Sequence, residues 1–209
     1  KFYLINIFFF SQIIITMKGE FISVFIVFVL VLCFFLHYES KYSDLTYVTS
    51  KVDKEKYLVR NRKDKQKAAD ILATVKKNLK SIVEYCRKEF SSDPKVQRMV
   101  KKYRPNRISE SIPNTNYTSY SVNKGEKLVF CIRSKDEKQK LVSVNTIMFV
   151  AIHELAHVMT KSIGHTPEFW SNMKYLLKRG IEINVYKKED YRKNPKPYCG
   201  TKITDSPLQ

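Results

Sequence analysis

Residues 147–159 read Ile-Met-Phe-Val-Ala-Ile-His-Glu-Leu-Ala-His-Val-Met, and this run constrains the chain more than any other. It is apolar on nearly every side, which is the pattern of a buried helix. Three polar residues interrupt it: His153, Glu154 and His157. On an α-helix, residues four apart share a face with Cβ atoms about 5–6 Å apart. His153 and His157 therefore stand side by side, with Glu154 next to them. Burying two imidazoles and a carboxylate in an apolar helix is costly unless they share a task. The plain alternative is a core helix whose polar groups are satisfied by their neighbours. The H-E-x-x-H spacing suits a zinc ion better. It offers neutral nitrogen donors to a borderline-soft ion, and a carboxylate beside them that is not consumed as a ligand and can act as general base toward a metal-bound water.

A third nitrogen donor follows promptly. Gly164 provides the positive-φ conformation that turns a chain back after a helix, and His165 comes next. Three of the four histidines in the chain fall within residues 153–165. Three protein ligands with an open fourth position is the catalytic rather than the structural zinc pattern. A purely structural site needs a fourth protein ligand, and no cysteine spacing supplies one. His37, at the end of an apolar run, reads as an interface residue.

The stretch Gly164-His165-Thr166-Pro167-Glu168-Phe169-Trp170 extends the pattern. Together with His153-Glu154-Leu155-Ala156-His157 it resembles the H-E-L-x-H…H-x-x-x-F-W signature of the WLM and SprT-like zinc metallopeptidases, a group that includes the DNA–protein-crosslink proteases. The resemblance is specific over about residues 144–180 and looser upstream to about residue 45. It implies an α+β, zincin-like domain that hydrolyses peptide bonds with a metal-activated water. It implies one catalytic Zn²⁺ on His153, His157 and His165, with Glu154 as general base and acid, and a protein or peptide substrate. Phe169 and Trp170 read as packing the next helix under the site. A viral or microbial source fits the AT-like composition.

Such chemistry gains from a further donor at the developing oxyanion. Tyr117, Tyr120, Tyr198 and Lys124 are candidates by residue type alone. Residues 115–133 read as a hairpin, with strands at Tyr117–Val122 and Lys127–Ile132 around an Asn123-Lys124-Gly125 turn. A strand beside the metal helix can accept substrate on its free edge by main-chain pairing.

The helices have clear limits. From Asp64, apolar residues recur at three- and four-residue steps through Phe90. Asp93 and Pro94 begin a shorter helix that ends at Arg104-Pro105-Asn106. Ser143 or Asn145 caps the metal helix, which runs to about Lys161. Thr166-Pro167-Glu168 opens another helix, with Gly180 as its expected stop.

The chain divides as follows. Residues 1–16 precede a natural-looking start at Met17 and read as a spurious upstream extension. Residues 17–38 form a transmembrane anchor: Phe21 to Leu36 carries no charge and reaches the lower length limit of a spanning helix. No small-x-small cleavage site follows it. Residues 39–63 read as a basic juxtamembrane linker with a short strand at Tyr57–Val59, residues 64–186 as the peptidase domain, and residues 187–209 as an irregular tail packed through Tyr191 and Tyr198. Lys41, Lys51, Lys54 and Lys56 follow the apolar run, so the positive-inside rule places the catalytic domain in the cytoplasm of a single-pass membrane protein. The sequon Asn116-Tyr117-Thr118 is usable only in the opposite topology. Outside Cys33, three cysteines remain (Cys86, Cys131 and Cys199), and they read as reduced, mostly buried thiols.

Charge is the other strong feature. Lys1, Lys18 and Glu20 are the only charged residues among the first 37, so about +17 of the formal +18 lies in residues 38–209. Such a field attracts anionic lipid or nucleic acid, although a Lys-rich proteome gives the same surface with no partner. The alternative function is a non-catalytic metalloprotease-like module that binds an anionic membrane or nucleic acid. An intact Glu154 argues against it.

Overall fold

The computed structural model describes residues 19, 21–38, 44–112, 118–123 and 125–209. The expected upstream extension, the start at Met17, most of the sequon, Tyr117 and Lys124 lie outside them. The chain forms two units, Lys1–Asp44 and Leu45–Gln209. In the first, helix α1 (Phe21–Tyr38) has a mean hydropathy of 2.7, long and apolar enough to cross a membrane. A signal sequence near the N-terminus has the same character.

The second unit is α+β. Its strands are β1 (Leu45–Thr49), β2 (Lys56–Arg60), β3 (Ile108–Glu110), β4 (Ser119–Val122) and β5 (Lys127–Phe130), in the sheet order β1-β2-β3-β5-β4. The outer pairs β1–β2 and β4–β5 are antiparallel hairpins, while β2–β3 and β3–β5 are parallel. Parallel neighbours need a long crossover. Between β2 and β3 it is made by α2 (Lys65–Glu89) and α3 (Pro94–Lys102). Residues 45–60, read from the sequence as linker, are the first hairpin of this sheet. Their short, polar strands carry little alternation, so only Tyr57–Val59 shows in the sequence.

Helix α2 buries the stripe expected of it, including Leu72, Val75, Leu79, Ile82, Val83 and Cys86. Asp93 caps α3 by accepting the Lys95 N–H at 3.0 Å. Helix α4 (Val144–Met159) starts where Ser143 accepts the Thr146 N–H, and it buries Ile147, Met148, Ile152, Leu155, Ala156 and Val158 completely. Helix α5 (Pro167–Glu182) packs on it. Gly180 does not stop α5, which continues through it. A Cβ there would lie 3.3 Å from Ile152 Cδ1 and 3.3 Å from Tyr186 Cβ, so the glycine serves the close approach of α5 to α4.

The tail is more ordered than its composition suggests. Strands β6 (Lys196–Tyr198) and β7 (Thr201–Ile203) pair antiparallel around Cys199-Gly200, both at positive φ. Tyr191 is fully buried and Tyr198 is 3% exposed, as expected of the two anchors. The cysteines require a correction. Cys131 and Cys199 form a disulfide across 68 residues of sequence, leaving Cys33 and Cys86 as the free thiols. No local spacing announces the bond, because docking of the β6–β7 hairpin against the end of β5 brings the partners together.

A buried polar cluster fixes the middle of the sheet. Glu110 accepts the Arg60 N–H at 2.7 Å and Arg133 Nε at 2.8 Å, and Arg133 Nη1 donates to Asp64 at 2.7 Å. Burial pushes the Glu110 carboxyl up, against the opposing effect of these donors.

Candidate metal centre and its cleft

The last turns of α4 carry His153, Glu154 and His157, and the loop after it returns His165 to the same place. That return is built from backbone capping. Thr160 ends α4, its N–H and its hydroxyl both donating to the Ala156 carbonyl, and Asn172 of α5 donates to the Thr160 hydroxyl at 3.0 Å. Glu168, in the first turn of α5, accepts the N–H groups of Lys161 and Ser162 at 3.0 Å each and the Ser162 hydroxyl at 2.7 Å. These donors hold its carboxyl well down, at about 2. Gly164 has φ +83° with open space around it, so its backbone conformation, not crowding, requires glycine. Thr166 then caps α5 by accepting the Phe169 N–H.

The three imidazoles converge. Their ligand nitrogens all lie within 4.8 Å of one another, and His165 Nε2 is 3.1 Å from His153 Nε2. Nitrogens at two corners of a tetrahedral zinc site stand about 3.3 Å apart, given Zn–N distances of about 2.0–2.1 Å. The cluster is thus close to ligand spacing. Burial, and then the facing His157 and His165, lower His153 to about 3, so its ring is neutral as a ligand must be. Among the described residues the cluster has no carboxylate and no fourth protein donor. The set therefore fits a zinc ion with an open position.

Phe169 stacks on His157 at 4.3 Å and is fully buried, as read from the sequence. Trp170 differs. It is 43% exposed and lies 5.5 Å from the His165 ring, at the rim and not under the site.

Glu154 is 5% exposed and lines a cleft of about 530 Å³ together with the three histidines. Burial raises its carboxyl to about 7, partly opposed by a hydrogen bond from the Ser121 N–H. That bond shows how β4 faces the site. Leu128 N–H and the Phe130 carbonyl point toward the β3 side, pairing with Arg107 and Ser111. The alternate residue Val129 therefore pairs with Tyr120 of β4. Ser119 and Ser121 consequently turn their main-chain groups to the outer edge of the sheet formed by the described residues, where Ser121 meets Glu154.

The far wall is the β6–β7 hairpin, through Tyr198, Thr201 and Ile203. Of the four candidate oxyanion donors, Tyr120 and Tyr198 line the cleft. Glu168, the Ser121 N–H and the disulfide beneath the far wall were not legible as site features. Glu168 shows in the sequence only as a first-turn acid, and the other two depend on tertiary pairing.

The WLM domain matches residues 50–208. The chain belongs to the WLM domain family. The match begins in the turn of the first hairpin, directly after β1, and includes β2 and the β6–β7 tail. The family is one of metalloprotease-like modules and suggests a metal cofactor for the histidine cluster. Uncharacterized protein R325 of Acanthamoeba polyphaga mimivirus is 32% identical over 185 residues, spanning 87% of this chain and 93% of that protein. Uncharacterized protein 042R of Invertebrate iridescent virus 3 is 38% identical over 82 residues, 39% of this chain and 48% of that one. The crystal structure of Wss1 from Saccharomyces cerevisiae is similar with a TM-score of 0.45 and 20% identity, over 60% of this chain and 86% of that one.

Proposed function

We propose that this WLM domain is a zinc-dependent metalloendopeptidase of the H-E-x-x-H type. The observation that carries the reading is the convergence of three imidazoles beside a buried carboxylate, in a cleft lined by the outer strand β4. His153, His157 and His165 would hold one Zn²⁺, which when bound supplies Lewis acidity at the scissile carbonyl and brings the pKa of a coordinated water to about 7.

The remaining work falls to the chain itself. The outer edge of β4 binds substrate by main-chain pairing at Ser119. Glu154, steadied by the Ser121 N–H, takes a proton from the attacking water and returns it to the leaving amine. A carboxyl near pH 7 is suited to both halves of that transfer. Phe149 and Val150 give the cleft an apolar floor. Glu168 keeps the His165 loop in place without entering the reaction.

Substrate is a protein or peptide, and α1 anchors the enzyme in a membrane as a single pass. The lysines after α1 favour the cytoplasm for the domain, whereas the Cys131–Cys199 disulfide favours an oxidising compartment.

A second reading has its own observation. Arg98, Lys101, Lys102, Arg104 and Arg107 line a groove of about 690 Å³ around α3. A non-catalytic module would use that face on an anionic membrane or nucleic acid. Glu154→Gln separates the two. The peptidase reading predicts that the variant keeps its metal and loses peptide cleavage by at least about 100-fold. A wild-type chain that cleaves no peptide while binding anionic vesicles or nucleic acid would favour the module.

A further inference from the structure

Tyr198 sits where the peptidase reading leaves a gap. Its hydroxyl is 2.6 Å from the Ser119 hydroxyl, which also accepts the Cys131 N–H at 3.1 Å. Ser119 and Ser121 are successive outward-facing positions of β4, about 7 Å apart along a strand. The Ser121 main-chain N–H holds the Glu154 carboxylate, and the Ser119 side chain holds the Tyr198 phenol. Glu154 and Tyr198 both line the cleft beside β4, so a peptide lying along it meets a base and a hydroxyl donor.

The phenol cannot drift from that position. Tyr198 is 3% exposed, in β6, and its neighbour Cys199 is bonded to Cys131 at the end of β5. Burial pushes its hydroxyl up, and the nearby Glu154 carboxylate adds to that effect. Tyr198 thus stays protonated and can act as a donor. Ser119 can supply its own proton to the Tyr198 oxygen, which frees the phenolic O–H to point into the cleft.

We propose that Tyr198 is a catalytic residue whose hydroxyl donates a hydrogen bond to the oxyanion that develops on the scissile carbonyl. The proposal rests on the peptidase reading. As the water oxygen adds to the carbonyl carbon, the C=O π pair moves onto the carbonyl oxygen and the water proton goes to Glu154. The phenolic O–H shortens its bond to that oxygen without giving up its proton. The interaction is stronger in the transition state than in the ground state, so it acts on kcat more than on KM.

The test uses the full chain in detergent, comparing wild type, Tyr198→Phe and Tyr120→Phe. Metal content, steady-state peptide cleavage and affinity for a peptide phosphinate, a tetrahedral anionic analogue, are measured on each. Tyr198→Phe should keep its metal, lose about 100-fold or more in kcat with KM within about threefold, and bind the phosphinate weaker by a similar factor. Tyr120→Phe, the other cleft tyrosine, should lose far less kcat than Tyr198→Phe. Unchanged kcat and phosphinate affinity in Tyr198→Phe would overturn the proposal, as would a loss confined to Tyr120→Phe. A wild-type chain that holds metal yet neither cleaves peptides nor binds the phosphinate would overturn the peptidase reading itself, and Tyr198 with it.

Discussion

Breaking the Cys131–Cys199 disulfide should destabilise the catalytic unit by up to about 4 kcal/mol. The bond spans 68 residues, and the chain-entropy relation for a loop of that length gives about 4.4 kcal/mol at 25 °C. The loop includes all of α4 and α5, so the cross-link restricts most of the site-bearing sequence in the unfolded state. The measured loss should fall somewhat below that ceiling, because the reduced unfolded chain keeps residual structure. For a domain of this size the loss corresponds to roughly 10–15 °C in Tm. Thermal unfolding of the wild type and of a Cys131→Ser/Cys199→Ser double variant, each with and without reductant, makes the comparison. Reductant should lower the wild-type transition to that of the double variant and leave the variant unmoved. Cys86 is a poor confounder, since burial pushes its thiol up to about 11. Coincident transitions in all four samples would show that the bond does not stabilise the fold, and alkylation of both Cys131 and Cys199 in denaturant without reductant would show that it does not form. The second result would also remove the argument for an oxidising compartment.

Other consequences are as direct. Glu110→Gln removes the charge that faces buried Arg133, and should cost about 3 kcal/mol in urea unfolding; a change under about 0.5 kcal/mol would show that the cluster is not a determinant of stability. Gly180→Val forces a branched side chain between Ile152 and Tyr186, and should cost about 1–3 kcal/mol in the same assay. Glu168 has a depressed carboxyl, so its contribution is complete above its unfolded value of 4.5 and is lost as pH falls through about 2. In the metal-free chain, amide protection at Lys161 and Ser162 should therefore decline from about pH 4.5 downward, while Glu168→Gln shows no such decline. An identical acid profile in both would assign the change to another group.

The contrast between what the sequence disclosed and what it hid follows the range of the interactions. The metal helix was legible because His153, Glu154 and His157 sit at i, i+1 and i+4 of one apolar run, and a helix turns that spacing into geometry. The caps at Asp93, Ser143 and Thr166 were legible for the same local reason. His165 followed from a glycine turn close behind the helix. Strands β1, β3, β6 and β7 are three to five residues long and gain their pairing from distant partners, so no period betrays them. Gly180 looked like a helix stop because its role depends on Ile152 and Tyr186, elements apart. Residue type alone placed Tyr198 among four candidates. Its hydrogen bond to Ser119 and the disulfide beside it set it apart, and both join the tail to the sheet.

The three-histidine metal centre is tested by metal content, measured by mass spectrometry on the purified full chain, wild type beside His165→Ala. About one zinc per wild-type chain is expected, as a three-ligand catalytic site holds, with a sharp loss in the variant and the fold retained. Zinc held equally well without His165, or no metal in a folded wild-type chain, would contradict the three-histidine centre.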